Sequence, residues 1–100
     1  MSYHIKIEPE AYQDIQAGID WYDSQQVGLG RKFYAEVSSS FESLRKNPFY
    51  QVRYDNVRCL PVNRYPYMIH FTLDEKENTI IVRAVLSTYQ NPDIWKDRSK

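Results

Sequence analysis

Three arginines and one tyrosine in the second half of the chain have the chemistry to act on a phosphate group. Arg58, Arg64 and Arg83 could bind phosphate oxygens, and Tyr89 could transfer a proton or stack on a base. Arg83 interrupts the apolar run Thr79–Leu86, so its guanidinium must reach solvent, a carboxylate or a ligand. The structural alternative for Arg83 is an exposed position on an open sheet face, paired with a neighbouring strand. The elements that carry these four residues decide whether they can act together.

The single cysteine and the two histidines do not form a metal or nucleophile motif. Neither His4 nor His70 has metal-ligand spacing to a cysteine or a carboxylate pair, so we predict no metal site. Cys59 fits a small buried strand residue, and His70 fits a hydrogen-bonded sheet histidine. Gly28-Leu29-Gly30 lacks the further glycine and the lysine of a phosphate-binding loop, which favours a turn before a helix. We predict no cofactor.

The composition is that of one globular domain. The chain has 100 residues, of which 42% are hydrophobic and 26% charged, and it contains no apolar stretch of the roughly 18 residues that a membrane span needs. The N-terminal residues lack a signal-peptide pattern, and one cysteine fits a reducing compartment, so we expect a cytoplasmic protein. The formal net charge is zero, which argues against a general nucleic-acid coat protein. Residues 1–23 nevertheless hold one Lys or Arg against five Asp or Glu, and residues 31–64 hold seven against three.

Two helices are predicted in the first half of the chain. Tyr3–Glu8 alternates apolar and polar residues as a strand does, and Pro9 then suits the first turn of a helix. A second helix starts within residues 27–30 and ends at Asn47-Pro48. Apolar side chains recur at helical spacing in both segments: Ala11, Ile15, Ile19 and Tyr22 in the first, and Phe33, Val37, Phe41 and Leu44 in the second. The short connection predicts an antiparallel helical hairpin.

The second half changes to the period of strands. Three strands are predicted at Val57–Val62, Tyr67–Leu73 and Thr79–Leu86, and the last, being nearly all apolar, should lie inside the sheet. Pro61 implies an edge position or a bulge. Asn91-Pro92 then opens a short turn or helical stub that carries Trp95. The predicted fold is therefore α+β, in the order β-α-α-β-β-β, with the helical hairpin on one face of a mostly antiparallel twisted sheet over residues 1–100.

Four pieces of the sequence, taken in order, resemble the RelE/ParE toxin superfamily. The resemblance covers essentially the whole chain, and its strength comes from the four pieces in register rather than from any one of them. The pieces are Asp14-Ile15 with Asp20-Trp21-Tyr22; Gly28-Leu29-Gly30-Arg31-Lys32-Phe33 with Asn47-Pro48; Val57-Arg58 with Arg64-Tyr65-Pro66-Tyr67-Met68-Ile69; and Ala84-Val85-Leu86 with Asn91-Pro92-Asp93-Ile94-Trp95-Lys96-Asp97-Arg98.

The resemblance implies the toxin of a bacterial type II toxin–antitoxin pair, neutralised by a cognate antitoxin protein. RelE-like members enter the ribosomal A site and cut messenger RNA without a metal, whereas ParE-like members poison DNA gyrase. Cleavage by the RNA's own 2′-OH needs a base, cations around the phosphate and an acid for the leaving oxygen.

This chain departs from the RelE-like pattern of cleavage residues. Where those members place an arginine early in the middle strand of the hairpins it has Met68, and where they place lysines on the preceding strand it has Cys59 and Pro61. A histidine near Ser87 and an arginine near Gln90 are also absent from the sequence. ParE-like action on gyrase is therefore the leading expectation. A messenger endoribonuclease with a rearranged basic site, and an inactive relative that only binds antitoxin, remain the alternatives.

The binding surfaces follow less directly from the sequence. Trp95 and Arg98 are candidate target-binding residues, although Trp95 could instead pack over the sheet. The many aromatic residues predict an exposed apolar groove, which an antitoxin could cover with a helix or with a strand added to an open sheet edge. The expected partners are the antitoxin and either gyrase or the ribosome with its messenger, and no membrane.

Overall fold

The computed structural model describes residues 2–89, which form two helices and five strands. In chain order these are β1 (His4–Ile7), α1 (Pro9–Gln25), α2 (Leu29–Lys46), β2 (Val52–Tyr54), β3 (Val57–Pro61), β4 (Tyr67–Asp74) and β5 (Thr79–Ser87). The α+β class, the helical hairpin and the four strands expected from the sequence are confirmed. The stub expected after Asn91-Pro92 and the candidates Trp95 and Arg98 lie outside the described residues.

The strands form one mixed sheet in the order β1-β5-β4-β3-β2. The pairs β5–β4, β4–β3 and β3–β2 are antiparallel, whereas β1 runs parallel to β5 from His4↔Thr79 to Ile7↔Val82. Since β1 and β4 flank β5, its interior position is confirmed. Opposite His70 and Phe71 the β4–β5 register shifts, because Phe71 pairs with Val82 and His70 with Ala84. This β-bulge leaves Arg83 without a partner residue on β4.

The two helices are joined by a sharp turn that the sequence encodes locally. Gly28 occupies the left-handed region at φ 88°, which an L side chain adopts with difficulty. Asp23, near the end of α1, accepts a hydrogen bond of 2.8 Å from the backbone N–H of Gly30 in the first turn of α2. This carboxylate accepts from one of the unpaired N–H groups in the first turn of α2. Its negative charge also interacts favourably with the positive end of the α2 dipole. The angle between the two helices is therefore fixed by the Asp23 side chain as well as by the turn at Gly28.

One core fills the space between the helices and the sheet. The apolar side chains predicted at helical spacing face this core, and Ala11, Phe33, Val37 and Leu44 are fully buried. From the strands it receives Leu60, Ile69, Phe71, Ile80, Val82 and Val85. Tyr22, Phe33, Tyr65 and Tyr67 pack ring against ring beside it, with centroid separations from 4.8 to 6.1 Å. By contrast, Tyr12 and Tyr34 lie on the outer surface of the helices.

Strand β2 was not expected from the sequence. It has only three residues, Val52–Tyr54, and two of them are exposed, so neither length nor alternation distinguishes it from a loop. It pairs with β3 across a tight turn in which Asp55 has a φ of 49°. Strand β3 is therefore not an edge strand, but the pairing with β2 reaches only Arg58, and Pro61 lies beyond it at the end of β3. Neither of the described helices is long and apolar enough to cross a membrane.

Candidate functional site

The sheet face turned away from the helices, the open face, carries a second, smaller cluster of buried side chains. Because side chains alternate along a strand, residues next to those of the helical core point to this face. Val57, Cys59, Ala84 and Leu86 are buried there, and Tyr54 and Met68 pack against them. The open face is thus mainly apolar at its centre.

Two polar groups lie against the ring of His70 on the open face. The Tyr54 hydroxyl lies 2.8 Å from His70 Nδ1, and the Cys59 sulfur lies 3.4 Å from the same nitrogen. Burial lowers the pKa of His70, an effect that the carboxylate of Asp14 partly offsets, so the neutral ring is favoured. The neutral ring can accept at Nδ1 in one tautomer and donate from it in the other, and Tyr54 and Cys59 are its two neighbours at this nitrogen. Burial also raises the pKa of Cys59, with Arg53 acting in the opposite direction, so the thiol is not activated as a nucleophile.

These groups line a cavity of about 300 Å³ between β2 and the end of β5. Its lining residues are Arg53, Tyr54, Cys59, Met68, His70, Ser87 and Thr88. Sequence reasoning missed Arg53 and Tyr54, because only the unexpected strand β2 brings them to this face. His70 was expected to be a hydrogen-bonded sheet residue, and Tyr54 is the partner that makes it so.

The four residues that the sequence suggested for phosphate chemistry do not lie close together in the structure. Arg58 donates to the Tyr50 carbonyl at 2.7 Å. Because alternate residues of a strand point to the same face, its side chain lies on the side of the sheet that faces the helices, as that of Leu60 does. Arg64 is exposed in the turn before β4, at a φ of 72°.

The other two nominated residues are also apart from the cavity. Arg83 forms an ion pair of 2.7 Å with Glu8 and donates to the hydroxyl of Thr72 at 3.2 Å. It therefore has the structural role that the sequence left as the alternative, pairing across strands. Tyr89 is 89% exposed and lines a different depression. The catalytic assignment of these residues stays a prediction.

That second depression, the α1 groove, lies between helix α1 and the end of β5 and has a volume of about 450 Å³. Asp14, Ala17, Gly18 and Trp21 form its helical wall, and Pro66, Tyr67, Val85, Ser87 and Tyr89 form the opposite wall. Asp14 Oδ2 accepts a hydrogen bond of 3.1 Å from the backbone N–H of Val85 and so ties α1 to β5. Within residues 2–89 no group of three His, Cys, Asp or Glu side chains could hold a metal ion.

The neutral state of His70 makes stability depend on pH. Because its folded pKa lies below the unfolded value of about 6.5, the unfolded chain binds more protons just below that pH. We therefore expect the contribution of this residue to be complete above pH 6.5 and to be lost as the pH falls toward its folded pKa. Urea unfolding at pH 7.5 and 5.5 should show a larger loss of unfolding free energy for the wild type than for His70→Gln. Equal losses in the two proteins would show that the ring does not titrate in this way.

Comparisons with known proteins agree with this architecture. Residues 5–92 match the model of a family described as the ParE toxin of the type II toxin–antitoxin system parDE. Among solved structures, the fold is similar to a chromosomal ParDE system from P. aeruginosa, with a TM-score of 0.75 at 16% identity, covering 86% of this chain and 96% of that one. It is similar to a mutant of the E. coli toxin RelE in the free state, with a TM-score of 0.67 at 10% identity, covering 89% and 86%.

A third similar structure is a RelBE toxin–antitoxin complex from Mycobacterium tuberculosis, with a TM-score of 0.62 at 16% identity, covering 87% of this chain and 99% of that one. A comparison with curated proteins gave no match. At these identities the structural likenesses establish the fold alone, and the family match rests on the sequence.

Proposed function

Because the chain belongs to the ParE toxin family of type II toxin–antitoxin systems, we propose that it is a toxin that acts by binding DNA gyrase and is neutralised by a cognate antitoxin. The mechanism is occupation of a protein target rather than cleavage of a substrate by this chain. The expected cellular result is loss of gyrase function and arrest of growth.

The observation that carries this proposal is the dispersal of the cationic side chains. Cleavage of RNA through its 2′-OH requires a base, an acid and cations around one phosphate. Here Arg58 and Arg83 follow opposite faces of the sheet, and the guanidinium of Arg83 is already paired with Glu8. The centre of the open face instead presents Met68, the uncharged thiol of Cys59 and a neutral His70. Cys59 and His70 are buried and uncharged and Met68 is apolar, so these groups supply no cation to stabilise a phosphorane.

A supercoiling assay tests the proposal. Purified toxin titrated into gyrase, ATP and relaxed plasmid should inhibit supercoiling in proportion to the amount added, and an equimolar amount of antitoxin should reverse the inhibition. The heat-denatured toxin serves as the control for non-specific inhibition. Undiminished supercoiling over a broad range of toxin concentration would refute action on gyrase.

One observation favours a second function, a ribosome-dependent messenger endoribonuclease with a rearranged site. Arg53 lines the open-face cavity beside Tyr54 and His70, so a cation, a hydroxyl and an imidazole share one depression. In a reconstituted translation system the gyrase proposal predicts intact messenger. Messenger cleavage that is abolished by Arg53→Ala would establish the endoribonuclease instead. Normal growth on induction without antitoxin would identify an inactive relative that only binds antitoxin.

A further inference from the structure

The open-face cavity brings together one residue of each type that binds soft metal ions. The chain has one cysteine, two histidines and two methionines, and Cys59, His70 and Met68 all line this cavity. Cys59 on β3 is directly opposite His70 on β4, and Met68 lies two residues before His70, so its side chain points to the same face. A long side chain at such a diagonal position is within reach of the opposite strand. The pairing of β3 with β4 therefore sets all three side chains around one space.

The separation of the two nearest donor atoms suits a shared ion. Cys59 Sγ lies 3.4 Å from His70 Nδ1. An ion bonded at about 2.3 Å to sulfur and about 2.0 Å to nitrogen, the lengths found for zinc, holds those two atoms about 3.5–3.7 Å apart. The two strands therefore already hold the sulfur and the nitrogen close to the spacing that an ion requires. Met68 is only partly buried, and its unbranched thioether side chain can adjust to supply a third ligand.

The donor atoms and the charge around them select a soft monovalent ion. Thiolate and thioether sulfur prefer Cu(I), and among the described residues that line the cavity no Asp or Glu supplies the oxygen that harder dications prefer. A coordinating thiol gives up its proton, here to solvent, so Cu(I) bound to the Cys59 thiolate leaves this pair without net charge. No electron is transferred in this step. Zn(II) would leave a positive charge on a mainly apolar face, beside the guanidinium of Arg53.

We infer that the open-face cavity is a Cu(I) site in which Cys59, Met68 and His70 are the three ligands. The ion binds His70 at Nδ1 and displaces the Tyr54 hydroxyl, which lies 2.8 Å from this nitrogen in the metal-free chain. It thereby links β3 to β4 through side chains. This inference goes beyond the proposed function and depends neither on the toxin's target nor on its antitoxin.

Anaerobic titration against a coloured Cu(I) chelator tests the site. We expect the full-length protein to withdraw one equivalent of Cu(I) from bicinchoninate. Cys59→Ser should bind at least about 100-fold more weakly, and His70→Gln and Met68→Leu about tenfold more weakly. The matched control is His4→Gln, which removes the other histidine, on β1, and should bind within about twofold of the wild type. Zn(II) at the same concentration should leave the bound Cu(I) in place.

Two further measurements test the individual ligands. Tyr54→Phe removes the hydroxyl that competes for Nδ1 and should bind Cu(I) at least as tightly as the wild type. X-ray absorption at the copper edge should show two sulfur neighbours in the wild type and one in Met68→Leu. No uptake of Cu(I), undiminished uptake by Cys59→Ser, equal losses in His4→Gln and His70→Gln, or a single sulfur neighbour in the wild type would each overturn the inference. Because these measurements contain neither gyrase nor antitoxin, their failure is distinct from failure of the gyrase proposal.

Discussion

Replacing Gly30 with alanine is expected to lower the free energy of unfolding by about 3 kcal/mol, because the added methyl group has no space. A Cβ built at this position lies 2.5 Å from the backbone oxygen of Ile19 and 2.8 Å from Asp23 Oδ1. The first neighbour belongs to the backbone of α1 and cannot rotate away. The second is the oxygen that accepts the Gly30 N–H, so relief of the clash also disturbs that hydrogen bond. The two helices must therefore move apart.

Gly28→Ala is the matched control for this prediction. No atom lies within 4 Å of a Cβ at Gly28, so only the left-handed backbone at φ 88° opposes the substitution. Its cost should be about 1 kcal/mol. Chemical denaturation of the two variants and the wild type gives both values. An equal cost at the two positions would show that the helices do not approach each other as closely as described.

Truncation of Phe33 should have the second large effect: Phe33→Ala is expected to lower the free energy of unfolding by about 4 kcal/mol. The ring is fully buried and lies against the rings of Tyr22, Tyr65 and Tyr67 at centroid distances of 5.1, 5.3 and 4.8 Å. The ring also fills the space over Gly18: a Cβ added at that position would lie 2.6 Å from the Phe33 ring. Its removal leaves a cavity where both helices meet the strand hairpin.

Such a loss approaches the total stability of a domain of this size, so the alanine variant can fail to fold. Phe33→Leu, with an expected loss of about 2 kcal/mol, keeps the prediction measurable. The control is Tyr34→Ala at the adjacent position, where the side chain is 51% exposed. Thermal and urea unfolding should place Tyr34→Ala within about 0.5 kcal/mol of the wild type. A control as damaging as Phe33→Leu would contradict the description of this core.

The fold could be predicted from the sequence where it depends on short-range periodicity. Phe33, Val37 and Leu44 recur at helical spacing and are all buried, and the last strand is a nearly continuous apolar run that only Arg83 interrupts. The parallel pairing of β1 with β5 could not be predicted in this way, because it joins segments about 75 residues apart. Strand β2 was missed because three residues carry too little pattern.

The site was harder to predict, because it depends on register between strands. The bulge opposite His70 and Phe71 inserts Arg83, so Val82 and Ala84 face opposite sides of the sheet although simple alternation would place them together. The arrangement of Tyr54, Cys59 and His70 likewise requires β2, β3 and β4 to pair in one particular register. The residue types alone therefore suggest which arginines could bind phosphate, but they do not show that these arginines lie far apart in the fold.

The most direct test of the account compares both targets in one culture after the toxin is induced without antitoxin. Plasmid topology is read on a chloroquine gel, and messenger 5′ ends are mapped by sequencing in samples taken over the same first minutes. If the toxin acts on gyrase, plasmids will lose negative supercoiling while messengers stay intact. Messengers cut within their coding regions while the plasmids remain fully supercoiled would contradict it.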